Sequence, residues 1–167
     1  MSTNNKNQIF EKIYSENAQS IKRLCYLYLK DINLAEDATQ ETFIKVYRKL
    51  NTFKQKSNIN TWLTTIAINT CKNIIRQKHL IEPIPLDEVR DLKDNPKSDP
   101  DTVISLSEAV QNLSIDYKTV ILLKYYCDLP IKDIAKITKT PETTVNYRLL
   151  KAKEILKEKL KEDIIYD

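Results

Sequence analysis

Apolar residues recur three and four apart along most of the chain, and this spacing predicts helices. Over residues 5–30 the recurring positions are Ile9, Phe10, Ile13, Tyr14, Ile21, Leu24, Cys25 and Tyr28. Asp31-Ile32-Asn33 interrupts the pattern, and either Asp31 or Asn33 is suited to cap the next helix through its side chain. Residues 34–50 form that helix, with Leu34, Ala35, Ala38, Thr42, Val46 and Leu50 in one stripe. Asp37, Glu41, Lys45 and Arg48 make a second stripe, Gln40 lies beside it, and Phe43 falls between the two faces. After a polar and basic loop, residues 51–60, a third helix covers 61–78. Its inward positions are Leu63, Ile66, Ala67, Thr70, Cys71 and Ile74, and Asn69, Lys72, Asn73 and Arg76 fall on the other side.

The pattern stops at residues 79–101, where Pro83, Pro85, Pro96 and Pro100 forbid a continuous helix. It resumes in TVISLSEAVQNL and again from Ser114 through YKTVILLKYYCDL. Pro130–Lys153 then reads as a helix-turn-helix. Ile131, Ile134 and Ala135 share a face of the first helix, and Thr138-Lys139-Thr140-Pro141 makes the break. Thr140 is placed to cap the second helix, and Pro141 suits a first helical turn because its missing N–H would have no partner. That helix buries Val145, Leu149, Ala152 and Leu156, which leaves Thr143, Asn146, Tyr147, Leu150 and Lys151 on or near the opposite face. Hydroxyl, amide, aromatic and cationic groups together suit a DNA major groove. An ordinary amphipathic hairpin with a solvated face fits the same pattern.

The predicted fold is all-α, with two small helical domains, residues 1–79 and 102–167, joined by a flexible linker, residues 80–101. Charge supports this division. Residues 1–80 carry 13 Lys and Arg against 6 Asp and Glu, residues 81–101 carry 3 against 7, and residues 102–167 carry 11 against 10. A basic first part suits a polyanion partner, and the acidic middle is a separate object. Lys54, Lys56, Trp62, Lys72, Arg76 and Lys78 interleave cations with an aromatic around one loop-helix junction, an arrangement that can hold a phosphate backbone beside a stacked base. Trp62 as a plain core residue fits equally well at this stage.

Composition removes several classes. The chain has no glycine, and Gly-rich phosphate loops and dinucleotide fingerprints need glycine for close backbone approach. With a single histidine, His79, no triad or multi-histidine metal site can be assembled, so no enzyme activity and no cofactor are expected. Cys25, Cys71 and Cys127 sit in apolar helical patterns and read as reduced core residues. No apolar run reaches the roughly 20 residues that span a bilayer, and the N-terminus lacks the apolar core of a signal peptide. A cytoplasmic protein with no direct membrane insertion is expected.

Four stretches in order resemble the extracytoplasmic-function (ECF) subgroup of bacterial RNA polymerase sigma factors. AEDATQETFIKVYRKL is similar to region 2.2, with its D-x-x-Q-E-x-F pattern at Asp37, Gln40, Glu41 and Phe43. NTWLTTIAINTCKNIIRQ resembles regions 2.3 and 2.4, VQNLSIDYKTVILLKYYCDL region 4.1, and IKDIAKITKTPETTVNYRLLKAKEIL region 4.2. The resemblance implies a non-catalytic initiation factor with core RNA polymerase and promoter DNA as partners. It implies polymerase binding through Asp37, Gln40, Glu41 and Phe43. It implies start-proximal DNA contacts through Lys54, Lys56, Trp62, Asn69, Lys72, Asn73 and Arg76. The upstream (−35) element falls to Thr143, Thr144, Asn146, Tyr147, Arg148, Leu150 and Lys151, with phosphate the expected target of Arg148. Family members are often held by an anti-sigma factor, commonly membrane-anchored. The acidic linker resembles the family's connector through the polymerase cleft. Lys139 stands where the family often has glycine, which predicts a left-handed residue under strain or a different turn. The rival readings are a stand-alone helix-turn-helix regulator and a helical adaptor without DNA binding.

Overall fold

The computed structural model describes residues 3–53, 58–81 and 105–162, and among these there is no strand. Three helices form an N-terminal unit: α1 (Thr3–Leu29), α2 (Ile32–Lys49) and α3 (Ile59–Ile81), with a short 3₁₀ turn at Leu50–Thr52. Four more form a C-terminal unit: α4 (Leu106–Gln111), α5 (Ile115–Ile121), α6 (Ile131–Thr138) and α7 (Glu142–Glu162). Asp31 starts α2 by accepting the Leu34 N–H at 2.9 Å, and Ser105 starts α4 by accepting the Glu108 N–H at 3.2 Å. Helix α3 continues to Ile81, two residues into the stretch expected to be linker. The rest of that stretch, including its acidic residues, lies outside the described residues, as does the His79 side chain.

The apolar stripes pack as their spacing requires. Ala35, Ala38, Thr42 and Val46 of α2 are fully buried against α1 and α3. The buried hydroxyls of Thr39 and Thr42 donate to the carbonyls of Ala35 and Ala38, both at 2.6 Å, so neither enters the core unpaired. Cys25 of α1 and Cys71 of α3, far apart in sequence, meet in this core with both side chains buried. The hydrogen bond between the two thiols, and then burial, push the Cys71 thiol well above its ordinary range. A thiol so held packs as a small apolar group rather than acting as a nucleophile.

Helix α5 runs directly into a π-helical turn, Leu122–Tyr126, closed by Cys127 N–H to the Leu122 carbonyl at 3.0 Å. The wider turn keeps Leu122 and Leu123 buried while Tyr126 reaches across to α1. The hairpin α6–α7 closes over Ile134, Ile137, Val145, Leu149, Ala152 and Leu156, all buried. Thr140 does not cap α7: its hydroxyl pairs with that of Thr138 at 2.9 Å, and the Pro141 carbonyl accepts the first helical bond, from Val145 N–H at 3.1 Å. The helix begins one residue later than a Thr140 cap would place it.

A chain without glycine must use other residues where helices end in left-handed backbone. Lys30, Asp128 and Lys139 take that conformation, with φ of 58°, 52° and 55°. At Lys139 the Thr140 N–H reaches back to the Ala135 carbonyl at 3.1 Å, the closing bond of a helix C-terminus that ordinarily carries glycine. A Cβ in this region costs roughly 1–2 kcal/mol, part of which glycine would return as chain entropy in the unfolded state. Lys139→Gly is therefore expected to stabilise the protein by roughly 0.5–1 kcal/mol, read as a higher denaturant midpoint with an unchanged slope. An unchanged or lower midpoint would show that the turn is not strained.

Candidate protein-binding and nucleic-acid-binding surfaces

Three surfaces carry the residues singled out above. The first is the outer face of α2. Asp37, Gln40 and Glu41 are exposed there, and Glu41 pairs with Lys45 at 2.6 Å. Lys45 also donates to Thr70 of α3 at 3.1 Å, so one cation ties α2 to α3 and steadies the acidic face. Phe43 does not belong to this surface. It is 3% exposed, and its ring stands edge-on to Phe10 at 6.3 Å and to Tyr14 at 4.8 Å. Edge-to-face rings of this kind stabilise a core, so Phe43 positions α2 on α1 and is not available to a partner. The exposed apolar residue of the face is Ile44, about half exposed and three positions beyond Glu41. Its exposure was hidden in sequence because Ile44 looks like any other core residue.

The second surface lies on α3. Asn69, Asn73 and Arg76 are exposed, and Lys72 is half-buried. Burial lowers the Lys72 pKa, Asp116 of α5 acts in the opposite direction, and Arg148 of α7 adds to the lowering. Lys72 is thus partly withdrawn from solvent, within electrostatic range of charges on the C-terminal unit. Trp62 is half-buried and stacks on Phe53 at 4.7 Å with the planes tilted by 31°. It is neither a closed core residue nor a free stacking platform, and one side of its ring is already used. Lys54 and Lys56 lie outside the described residues.

The third surface is the outer side of α7. Thr143, Asn146, Tyr147 and Leu150 are exposed, while Thr144, Arg148 and Lys151 are half-buried. Tyr147 and Leu150, each more than half exposed, set an aromatic ring and a branched alkyl group beside the Asn146 amide. That combination can hydrogen-bond a base edge and cover a thymine methyl. Lys151 donates to Glu154 at 2.7 Å, and Arg148 donates to Asp116 at 2.7 Å. Both cations thus start from an internal carboxylate, which a phosphate would have to replace.

Among the described residues no cluster of His, Cys, Asp and Glu could hold a metal ion, and no helix is long and apolar enough to cross a membrane.

Residues 13–80 match the family described as Sigma-70 region 2, and residues 104–156 match Sigma-70, region 4. The RNA polymerase sigma factor SigV of Bacillus subtilis (strain 168) is 30% identical over 151 residues, spanning 90% of each chain. The ECF RNA polymerase sigma factor SigW of the same organism is 31% identical over 156 residues, 85% of this chain and 83% of that one. Among solved structures, the sigma factor RpoE, co-crystallised with the anti-sigma factor NepR from Bartonella quintana, has a TM-score of 0.72 at 22% identity, covering 92% of this chain and 98% of that chain. CnrH, in complex with the cytosolic domain of CnrY, has a TM-score of 0.70 at 15% identity, covering 94% and 90%.

Proposed function

The chain belongs to the ECF RNA polymerase sigma factors, and on that premise we propose how its surfaces divide the work of initiation. It is a non-enzymatic factor that directs core RNA polymerase to promoters; the polymerase itself performs nucleotide addition. Residues 1–79 act as the polymerase-binding and melting domain, residues 80–101 as the linker, and residues 102–167 as the upstream reader.

Asp37, Gln40, Glu41 and Ile44 dock on the largest polymerase subunit, the carboxylates taking charge-assisted hydrogen bonds from basic groups. Asn69, Lys72, Asn73 and Arg76 track the non-template strand, and Lys54 and Lys56 extend that cationic path. Opening a duplex costs stacking energy, which such a track and an aromatic neighbour offset. Asn146, Tyr147 and Leu150 read bases of the −35 element, with Thr143, Thr144, Arg148 and Lys151 around them. An anti-sigma partner belongs to the same proposal, supported by the complex in which RpoE was solved.

The observation that carries this division is the exposed D-x-x-Q-E face of α2 together with the exposed amide, aromatic and alkyl groups of α7. Each stands within one of the two matched segments. Run-off transcription on genomic fragments tests it. Core polymerase with the chain should yield transcripts absent without it, sharing a motif upstream of their starts. Tight sequence-specific DNA binding without polymerase, and no chain-dependent transcript, would instead make this a stand-alone regulator.

A further inference from the structure

Helices α4 and α7 and the π turn do not close completely on one another. Between them and the end of α1 lies a groove of about 610 Å³ whose walls are almost wholly apolar. Leu27 of α1, Leu106 and Val110 of α4, Leu122 and Tyr125 of the π turn, and Leu156 of α7 line it. Gln111 Nε2 of α4 donates to the Leu27 carbonyl at 2.7 Å, which ties two of these walls together. Leu106 and Tyr125 are each more than half exposed, so the groove presents large apolar side chains to water. Contiguous apolar surface of this kind marks a place where another segment binds. Its volume lies within the roughly 300–1,000 Å³ of pockets that take a drug-sized molecule, so it suits a few side chains and not a whole helix.

Charge narrows the choice of occupant. Lys153 lines the groove from α7, with Nζ 5.4 Å from the Tyr125 ring centroid. It has no carboxylate partner among the described residues. The groove is therefore complementary to a short apolar segment with an acidic end. Such a segment stands next to it in the chain. Helix α7 ends at Glu162, and Asp163-Ile164-Ile165-Tyr166-Asp167 follows, outside the described residues. Three large apolar residues thus lie between two aspartates, directly after the charged run KEKLKE. Leu160 is half-buried against the core, so the chain leaves α7 beside the core and not out in solvent. From Glu162 back to Leu156 is about 9 Å along the helix. Five extended residues reach up to about 17 Å, enough for a reversal and a return past Leu156 toward Lys153.

We propose that residues 163–167 fold back along α7 and occupy this groove. Ile165 and Tyr166 fill the space between Leu122, Tyr125 and Leu156, and Asp167 lies beside Lys153. The segment is held by burial of its apolar side chains, with the ion pair fixing its direction. Because it is tethered within reach, its effective concentration at the groove is in the millimolar range, and a weak intrinsic affinity suffices to keep the groove filled. Leu106 and Tyr125 are then covered in the free chain, and any other apolar segment that binds there must first displace this one.

The test is solution NMR on the full chain, with labelled Ile, Leu and Val methyls and Tyr rings. Through-space contacts are expected from the Ile165 methyls to the Tyr125 ring and the Leu122 methyls. Ile165→Ser should shift the balance of filled and empty groove roughly tenfold or more toward empty. The Leu106 and Tyr125 signals would then move to the positions they hold in a chain stopped after Glu162. Lys153→Glu should lower occupancy roughly two- to fivefold, an effect that fades at high salt. Four results overturn the proposal. These are no contact between residues 163–167 and the groove, contacts only between differently labelled copies, contacts to Tyr125 from Val103 or Ile104 instead, and Leu106 and Tyr125 signals that do not change when residues 163–167 are removed. None of these readouts depends on polymerase or DNA, so they stand or fall apart from the sigma-factor function.

Discussion

Reversing Asp37 and Glu41 together to Lys is expected to weaken core RNA polymerase binding by roughly 30-fold or more, with the melting temperature almost unchanged. The two halves of this expectation have separate causes. Replacing a carboxylate that is hydrogen-bonded to a basic partner by a cation removes the pair and adds repulsion, and truncation of such pairs alone costs roughly 2–5 kcal/mol. The fold loses little. Asp37 is exposed and makes no ion pair among the described residues, and the Glu41–Lys45 pair is an exposed i, i+4 contact. Such a pair contributes roughly 0.3–0.5 kcal/mol. Lys45 keeps its bond to Thr70, which continues to tie α2 to α3. Titration of labelled chain with core polymerase measures the first half, and thermal unfolding by circular dichroism the second. Wild-type affinity in the doubly reversed variant would remove the α2 face from the interface.

Phe43→Ala should do the reverse, lowering stability by about 3–5 kcal/mol, the range for emptying a buried aromatic site. Phe43 is enclosed by Phe10 and Tyr14, and Tyr47 stands 5.2 Å from Phe10 at the edge of the same cluster. Removing the ring therefore opens a hole between α1 and α2 and loosens the helix that presents Asp37 and Glu41. The melting temperature should fall by roughly 10 °C or more. Phe43→Leu refills most of the space and should retain polymerase affinity. A Phe43→Ala variant that melts like the wild type but fails to bind polymerase would return Phe43 to the interface.

These two outcomes also mark what could be read from the chain before its fold. Periodicity reports the face of a helix that turns inward, and Val145, Leu149, Ala152 and Leu156 were legible on that ground, as was the Asp31 cap. The left-handed turn at Lys139 was legible only through a family habit of placing glycine there. Phe43 was not legible, because the rings that enclose it belong to a helix about thirty residues earlier and its position borders the stripe instead of lying in it. Lys72 was not legible for a related reason. It sits on the polar side of its own helix, and its partial burial depends on tertiary packing that spacing within that helix does not report. The same limit hid the meeting of Cys25 with Cys71 and the pairing of Arg148 with Asp116. Each of these depends on how separate helices are placed together, which spacing within one helix does not encode.

The Tyr28–Thr119 bond joins residues 91 positions apart. During synthesis at roughly 5–20 residues per second, Thr119 follows Tyr28 by roughly 5–20 s. Helix α1 is almost complete when that interval begins and α2 and α3 are translated within it, so the nascent chain displays a complete α2 face before Thr119 exists to pair with Tyr28. The Tyr28–Thr119 bond is therefore a late one. A polymerase that met the chain while it was still leaving the ribosome would capture it before that bond had formed.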